Sequence, residues 1–183
     1  MKINLKDLIL NTKTLKAGQK ILLSGIIYTA RDAAHKRIID ILDSGKEVPF
    51  NLKNAAIYYC GPTPAKPGNV IGVCGPTTSS RMDVFTPRIL KEGVKFLIGK
   101  GTRSETVVNS IKETGSVYLV ATGGIAALLS KTVKKASLIA FEDLGPEAIY
   151  KLEVENMPLI VAIDSLGGDI FRVRSKLLNN STA

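Results

Sequence analysis

One unit recurs along this sequence. An apolar run rich in β-branched residues stops at small or charged residues, and a helix start follows. It occurs where ILLSGIIYT meets ARDAAHKR, where VIGVC meets GPTTSSRMD, where VKFLIG meets KGTRSE, and where SVYLVAT meets GGIAA. Strands that alternate with helices need crossover connections, which favour parallel strands covered by helices. The chain is thereby restricted to an α/β fold. Hairpin-like spacing in the first part adds antiparallel strands, so the sheet is expected to be mixed.

Local signals set the boundaries. A strand is predicted over Ile21 to Thr29, then a helix carrying Ile38, Ile39, Ile41 and Leu42 at helical spacing, stopped by Ser44-Gly45. Ala55 to Cys60 reads as a strand running into the Pro/Gly loop GPTPAKPG, and Val70 to Cys74 as a further strand. Thr86 is expected to cap a helix through Lys91, with Pro87 in its first turn. Ser104 is expected to cap the helix ending at Gly115. After the strand SVYLVAT come a Gly123-Gly124 turn, a helix IAALLSKTVKKA and a strand SLIAFED. A short helix over Gly145 to Tyr150 precedes two more strands, KLEVEN and Pro158 to Asp164. Residues 1–183 read as a single domain, with 175–183 a frayed tail.

Composition narrows the function. Hydrophobic residues make up 45% and there is no Trp, so Val, Ile, Leu and Ala must fill the core. The net charge of +9 favours anionic partners. The charges are dispersed and no RRM-type aromatic signature is present, which places a nucleic-acid-binding module below a small-anion site. Cys60 and Cys74 are the only cysteines; neither has a CxxC partner, so they read as small buried hydrophobes in a reducing compartment. The opening MKINLKDLIL has no long apolar run, and no stretch approaches a membrane span; a cytoplasmic location is the expectation.

In open α/β sheets, ligands bind beyond the carboxyl ends of strands, where helix N-termini present free N–H groups. Arg31 and Arg81 stand at such helix starts, where the helix dipole disfavours a cation unless an anion is bound. Lys100, between Gly99 and Gly101, approaches the same place. Arg31, Arg81 and Lys100 thus form a candidate anion clamp. Taken singly, each cation also reads as solvated or paired with Asp32 or Asp83, and Thr77, Thr78, Ser79 and Ser80 as turn and capping residues. His35 lies one turn after Arg31 and reads either as a helix-surface imidazole or as an acid/base group. GVKFLIGKG departs from the P-loop spacing, and GKGTRS lacks the third glycine of a dinucleotide fingerprint.

YTARDAAHKR, YYCGPTPAKPG, GPTTSSRMD, IGKG and FEDLGPEAIYKLEVENMPLIVAID together resemble the beta subunit, or C-terminal domain, of class I iron–sulfur-dependent fumarate hydratases, a family that includes L-tartrate dehydratase beta subunits. The resemblance runs from about Ile21 to Asp164. It implies a swivelling β/β/α domain and a hydro-lyase component for the reversible hydration of fumarate to L-malate. It also implies an alpha subunit holding a 4Fe-4S cluster, with no metal ligand on this chain, in a hetero-oligomer. On the same ground Arg31, Arg81 and Lys100, with Thr78 and Gly101 beside them, are expected to bind substrate carboxylates. Thr77 is expected to move the proton at carbon, with His35 assisting and Asp32 orienting. YTARDAAHKR is nearer to fumarases than to tartrate dehydratases, which inclines the reading towards fumarate and malate.

Overall fold

A computed structural model describes residues 1–8, 11–121 and 126–172. The Gly123-Gly124 turn and the tail over 175–183 lie outside the described residues. In chain order come β1 (Lys2–Asn4), α1 (Leu5–Leu8), β2 (Lys20–Thr29), α2 (Asp32–Asp43), β3 (Ala56–Tyr58), α3 (Thr86–Lys91), β4 (Phe96–Gly99), α4 (Glu105–Thr114), β5 (Val117–Val120), α5 (Ala126–Thr132), β6 (Val133–Ala140) and β7 (Ile149–Ile163). Short 3-10 turns occupy Ser79–Met82 and Glu142–Glu147.

The sheet is mixed, in the order β1-β2-β3-β4-β5-β7-β6, and β2 also pairs with β7. That extra pairing joins β2, β3, β4, β5 and β7 into a closed hydrogen-bonded circuit. β2, β3, β4 and β5 are mutually parallel, so their carboxyl ends share one rim. The period-2 alternation of strand side chains separates two cores. Ala56, Tyr58, Phe96, Ile98, Val117 and Leu119 face one of them. Ile57, Leu97, Tyr118 and Val120 face the other, where Ala34 and Ile38 of α2, Ile89 and Leu90 of α3, and Val107 and Ile111 of α4 cover them. No helix among the described residues is long and apolar enough to cross a membrane.

The α/β class and the mixed sheet agree with the sequence, but several elements differ. The antiparallel strands are β6 and β7 at the far end of the chain, whereas β1 pairs parallel with β2. KLEVEN and PLIVAID are one strand, bent at Asn156 (φ 53°), where a bulge sets two residues of β7 opposite Ser24. VIGVC forms no strand. The loop folds back on itself instead: Thr63 N–H donates to the Val73 carbonyl at 3.1 Å, and Val73 N–H to the Thr63 hydroxyl at 2.8 Å. The helix expected over IAALLSKTVKKA ends at Thr132, because Val133 onwards pairs with β7. The helix expected over Gly145 to Tyr150 does not form: the 3-10 turn Glu142–Glu147 is kinked at Gly145 (φ 55°), and Ile149 and Tyr150 already belong to β7. Thr86 lies inside α3 rather than capping it; Phe85 holds the cap position, and the Thr86 hydroxyl donates to the Met82 carbonyl. Ser104 does cap α4, accepting from Val107 N–H, and Gly115 closes it in the left-handed conformation.

Candidate active site

Backbone hydrogen bonds stitch the strand exits together at the shared rim. Ala30 N–H donates to the Tyr58 carbonyl, Tyr59 N–H to Ile98, Thr77 N–H to Tyr59, Ser79 N–H to Lys100, and Ala121 N–H to Gly99. Thr78 and Lys100 form an isolated parallel bridge. The segment GPTTSSR therefore lies beside the β4 exit although no strand leads into it.

Two of the cations meet on one carboxylate. Arg81 grips Asp32 with two hydrogen bonds, Nε to Oδ1 at 2.9 Å and Nη2 to Oδ2 at 2.8 Å. Arg31 Nη2 lies 3.9 Å from Asp32 Oδ2 and 3.2 Å from Glu147 Oε1. The other Glu147 oxygen accepts from Ala33 N–H at 2.8 Å and so satisfies one of the open donors at the start of α2. Asp32 and Glu147 thus supply from within the chain the negative charge that this helix end favours. Donors remain beyond this network. Arg31 Nε is buried without a partner, and Arg81, half exposed, engages Asp32 through one edge only. Gly61 is required here: a Cβ on it would stand 2.8 Å from the Pro146 carbonyl and 3.0 Å from Arg31 Nη1.

Lys100 is exposed, and its ammonium pairs with no carboxylate among the described residues. Its turn is fixed from below. Ser79 Oγ, fully buried, accepts from Lys100 N–H at 3.1 Å and lies 2.8 Å from the Tyr118 hydroxyl, which in turn reaches the Gly101 carbonyl at 2.9 Å. Gly101 (φ 84°) makes the turn possible. Thr77 is half-buried, and Thr78 is exposed. The structure thus gathers Arg31, Asp32 and Arg81 in one network and sets Thr77, Thr78, Lys100 and Gly101 along the adjoining turns.

His35 is fully buried. Its Nδ1 lies 2.8 Å from the Arg31 carbonyl, so Nδ1 carries the proton and donates, leaving Nε2 without a partner. The ring packs edge-on against Tyr59 and stacks on Phe85. Burial pushes its pKa down to about 4, so the imidazole is neutral near pH 7. It touches the Arg31–Asp32–Arg81 network through the Arg31 backbone.

Sequence reasoning missed three supports: Glu147, Tyr118 and Arg103. The side chain of Arg103 is fully enclosed; its Nε donates to Asp83 at 2.7 Å, its Nη2 to Thr86 at 2.7 Å, and its guanidinium lies over the Tyr59 and Tyr118 rings. Burial works against its charge, but Tyr59, Asp83 and Tyr118 outweigh it and raise its pKa. The signal was present in KGTRSE, where an arginine directly precedes the helix cap.

The described residues do not suit an iron–sulfur cluster. No three His, Cys, Asp or Glu side chains gather among them, and both cysteines are buried against each other.

A family model described as "Fumarase C-terminus" matches residues 1–174. The chain is 42% identical over 173 residues to a putative L(+)-tartrate dehydratase subunit beta of Methanocaldococcus jannaschii, covering 91% of this chain and 88% of that one. It is 37% identical over 156 residues to fumarate hydratase 2 of Leishmania major, covering 84% of this chain and 28% of that protein. It is 34% identical over 170 residues to the anaerobic class I fumarate hydratase of Escherichia coli, covering 92% and 31%. The chain thus spans less than a third of the length of these two fumarate hydratases.

Proposed function

We infer what the chain does from one premise: it belongs to the Fumarase C-terminus family. On that premise it serves as the beta component of a class I fumarate hydratase, a hydro-lyase that adds water reversibly to fumarate to give L-malate. It works in the cytoplasm with an alpha subunit, and any 4Fe-4S cluster is held by that partner. The observation that carries this reading is the approach of both Arg31 and Arg81 to Asp32, at a rim shared with Lys100 and Thr77. A dicarboxylate needs two separated cationic contacts. The partly exposed Arg31 guanidinium, the open edge of Arg81 and the Lys100 ammonium offer them, with the Thr78 hydroxyl and the Gly101 backbone alongside.

Hydration places hydroxide on one alkene carbon and a proton on the other. Thr77 is assigned to the proton. Its hydroxyl takes no hydrogen bond among the described residues, and a threonine hydroxyl is a weak base, so its activation is assigned to the partner chain. Asp32 orients Arg81, and His35 fixes the Arg31 backbone from below.

The test is anaerobic co-expression with a candidate alpha chain and a fumarate hydration assay. Arg81→Ala in the assembled sample is expected to lower kcat/KM by roughly 10²–10³-fold with an unchanged circular dichroism spectrum. A variant that kept near-wild-type kcat/KM would remove the clamp. The near-equal length of the M. jannaschii relative favours a second reading, an L-tartrate dehydratase beta subunit. Rates on malate and on the tartrate isomers, measured with one assembled sample, separate the two.

A further inference from the structure

The described cysteines form a pair that the proposed reaction does not use. Cys60 follows β3, and Cys74 ends the Pro/Gly loop that leaves it. Both are fully buried, yet their Sγ atoms stand 2.8 Å apart. A disulfide has an S–S length of about 2.05 Å, so less than ~1 Å of further approach separates this pair from a bond. The surroundings hold the two in register. The Tyr58 hydroxyl donates to the Cys74 carbonyl at 2.7 Å, and Cys74 N–H donates to Ser130 Oγ at 2.9 Å.

We propose that Cys60 and Cys74 are a disulfide-forming pair, closed by peroxide or by a small-molecule disulfide, that staples the loop over 61–73 to the end of β3. With peroxide, one thiol attacks the O–O bond to give a sulfenic acid and one water. The second thiol then displaces the sulfenic oxygen as a second water. Two electrons pass from the sulfurs to the peroxide, and the thiol protons leave in the water formed. The intervening loop contains no helix or strand, so its opening gives the oxidant access without unfolding the sheet. Burial raises the Cys60 pKa well above the ordinary thiol value, which keeps the pair reduced and slow to react while the loop is closed. The consequence reaches the rim. Cys60 precedes Gly61, which packs on Arg31, and Cys74 precedes Gly75-Pro76-Thr77.

The test uses the full chain and needs no partner. Trypsin releases residues 54–81 as one peptide, because Lys66 is followed by proline; that peptide carries both cysteines. After hydrogen peroxide treatment and alkylation, the peptide is expected to be ~2 Da lighter than its unmodified dithiol form and to take no alkyl group, whereas Cys74→Ser leaves Cys60 free to be alkylated. A second arm refolds the chain from denaturant in a mixture of oxidised and reduced glutathione, where access to the thiols is not limiting. The bond in either arm supports the proposal. Both thiols free in both arms, or only sulfinic and sulfonic acids and intermolecular dimers, overturn it. The closed form is expected to melt ~6–12 °C above the reduced one, as closing a loop of this length implies. A lower Tm would show that the bond strains the fold and that the geometry is wrong.

Discussion

At the residue scale, His35 separates what a sequence can place from what it cannot. Its position one turn after Arg31 is helical arithmetic, and the hydrogen bond to the Arg31 carbonyl follows from it. Its complete burial does not, because Tyr59 and Phe85 arrive from remote parts of the chain. The same holds for Arg103. An arginine ahead of a helix cap reads as solvated until Asp83, Tyr59 and Tyr118 are found around it. For His35 the burial has a measurable consequence. With its folded pKa near 4 and an unfolded value near 6.5, the unfolded chain binds more protons between those limits. The stability from keeping this ring neutral is whole above about pH 6.5. It declines as pH falls towards 4, by about 3 kcal/mol in total. His35 is the only histidine, so its ring resonance is unambiguous by NMR. That resonance is expected to stay flat from pH 8 to 5 and to inflect near 4. A midpoint near 6.5 would mean that the ring meets water.

At the element scale, short-range signals were the legible ones. The Ser104 cap, the Gly115 stop and the span of α2 are decided within a few residues and were readable as such. VIGVC has every local mark of a strand, but Thr63 pairs with Val73 and the run becomes a loop wall. β6 begins at Val133 because β7 offers it a ladder that no local pattern announces. The rim itself was legible because strand exits recur, whereas the contact between the Ser79 and Lys100 turns was not. That contact depends on Gly99, where an added Cβ would collide with Ser79 Oγ and come within 2.8 Å of Tyr59 Cδ2. Both neighbours are fully buried and have little room to give way. Gly99→Ala is therefore expected to destabilise the chain by about 1–3 kcal/mol, read from the urea midpoint. It should also part the two turns, so that, on the proposed function, fumarate hydration by the chain assembled with an alpha subunit falls more than stability alone explains. Wild-type stability in that variant would show that the turns do not pack as described.

At the scale of the whole molecule, the closed circuit explains why scattered residues arrive at one place. β2 carries Arg31 and Asp32 to the rim, the β3 exit anchors Thr77 through Tyr59, and β4 carries Lys100; all three strands are parallel and joined in register. β7 closes the circuit by pairing with β2 along Lys151 to Ile160 and with β5 near its end. Neither β3, β4 nor β5 can leave the sheet without opening the ring, so the rim should be set before any ligand arrives. Native-state hydrogen exchange tests this directly. Amides of Ile27, Leu152 and Val161, buried on β2 and β7, are expected to exchange only through global unfolding, and those of β3, β4 and β5 on the same scale. The loop over 61–73, outside the ladder, should exchange orders of magnitude faster. If β3 to β5 instead exchanged as an independent, weaker unit, the ring would not act as one body. The proposed clamp at the rim would then have to be assembled by its ligand rather than offered to it.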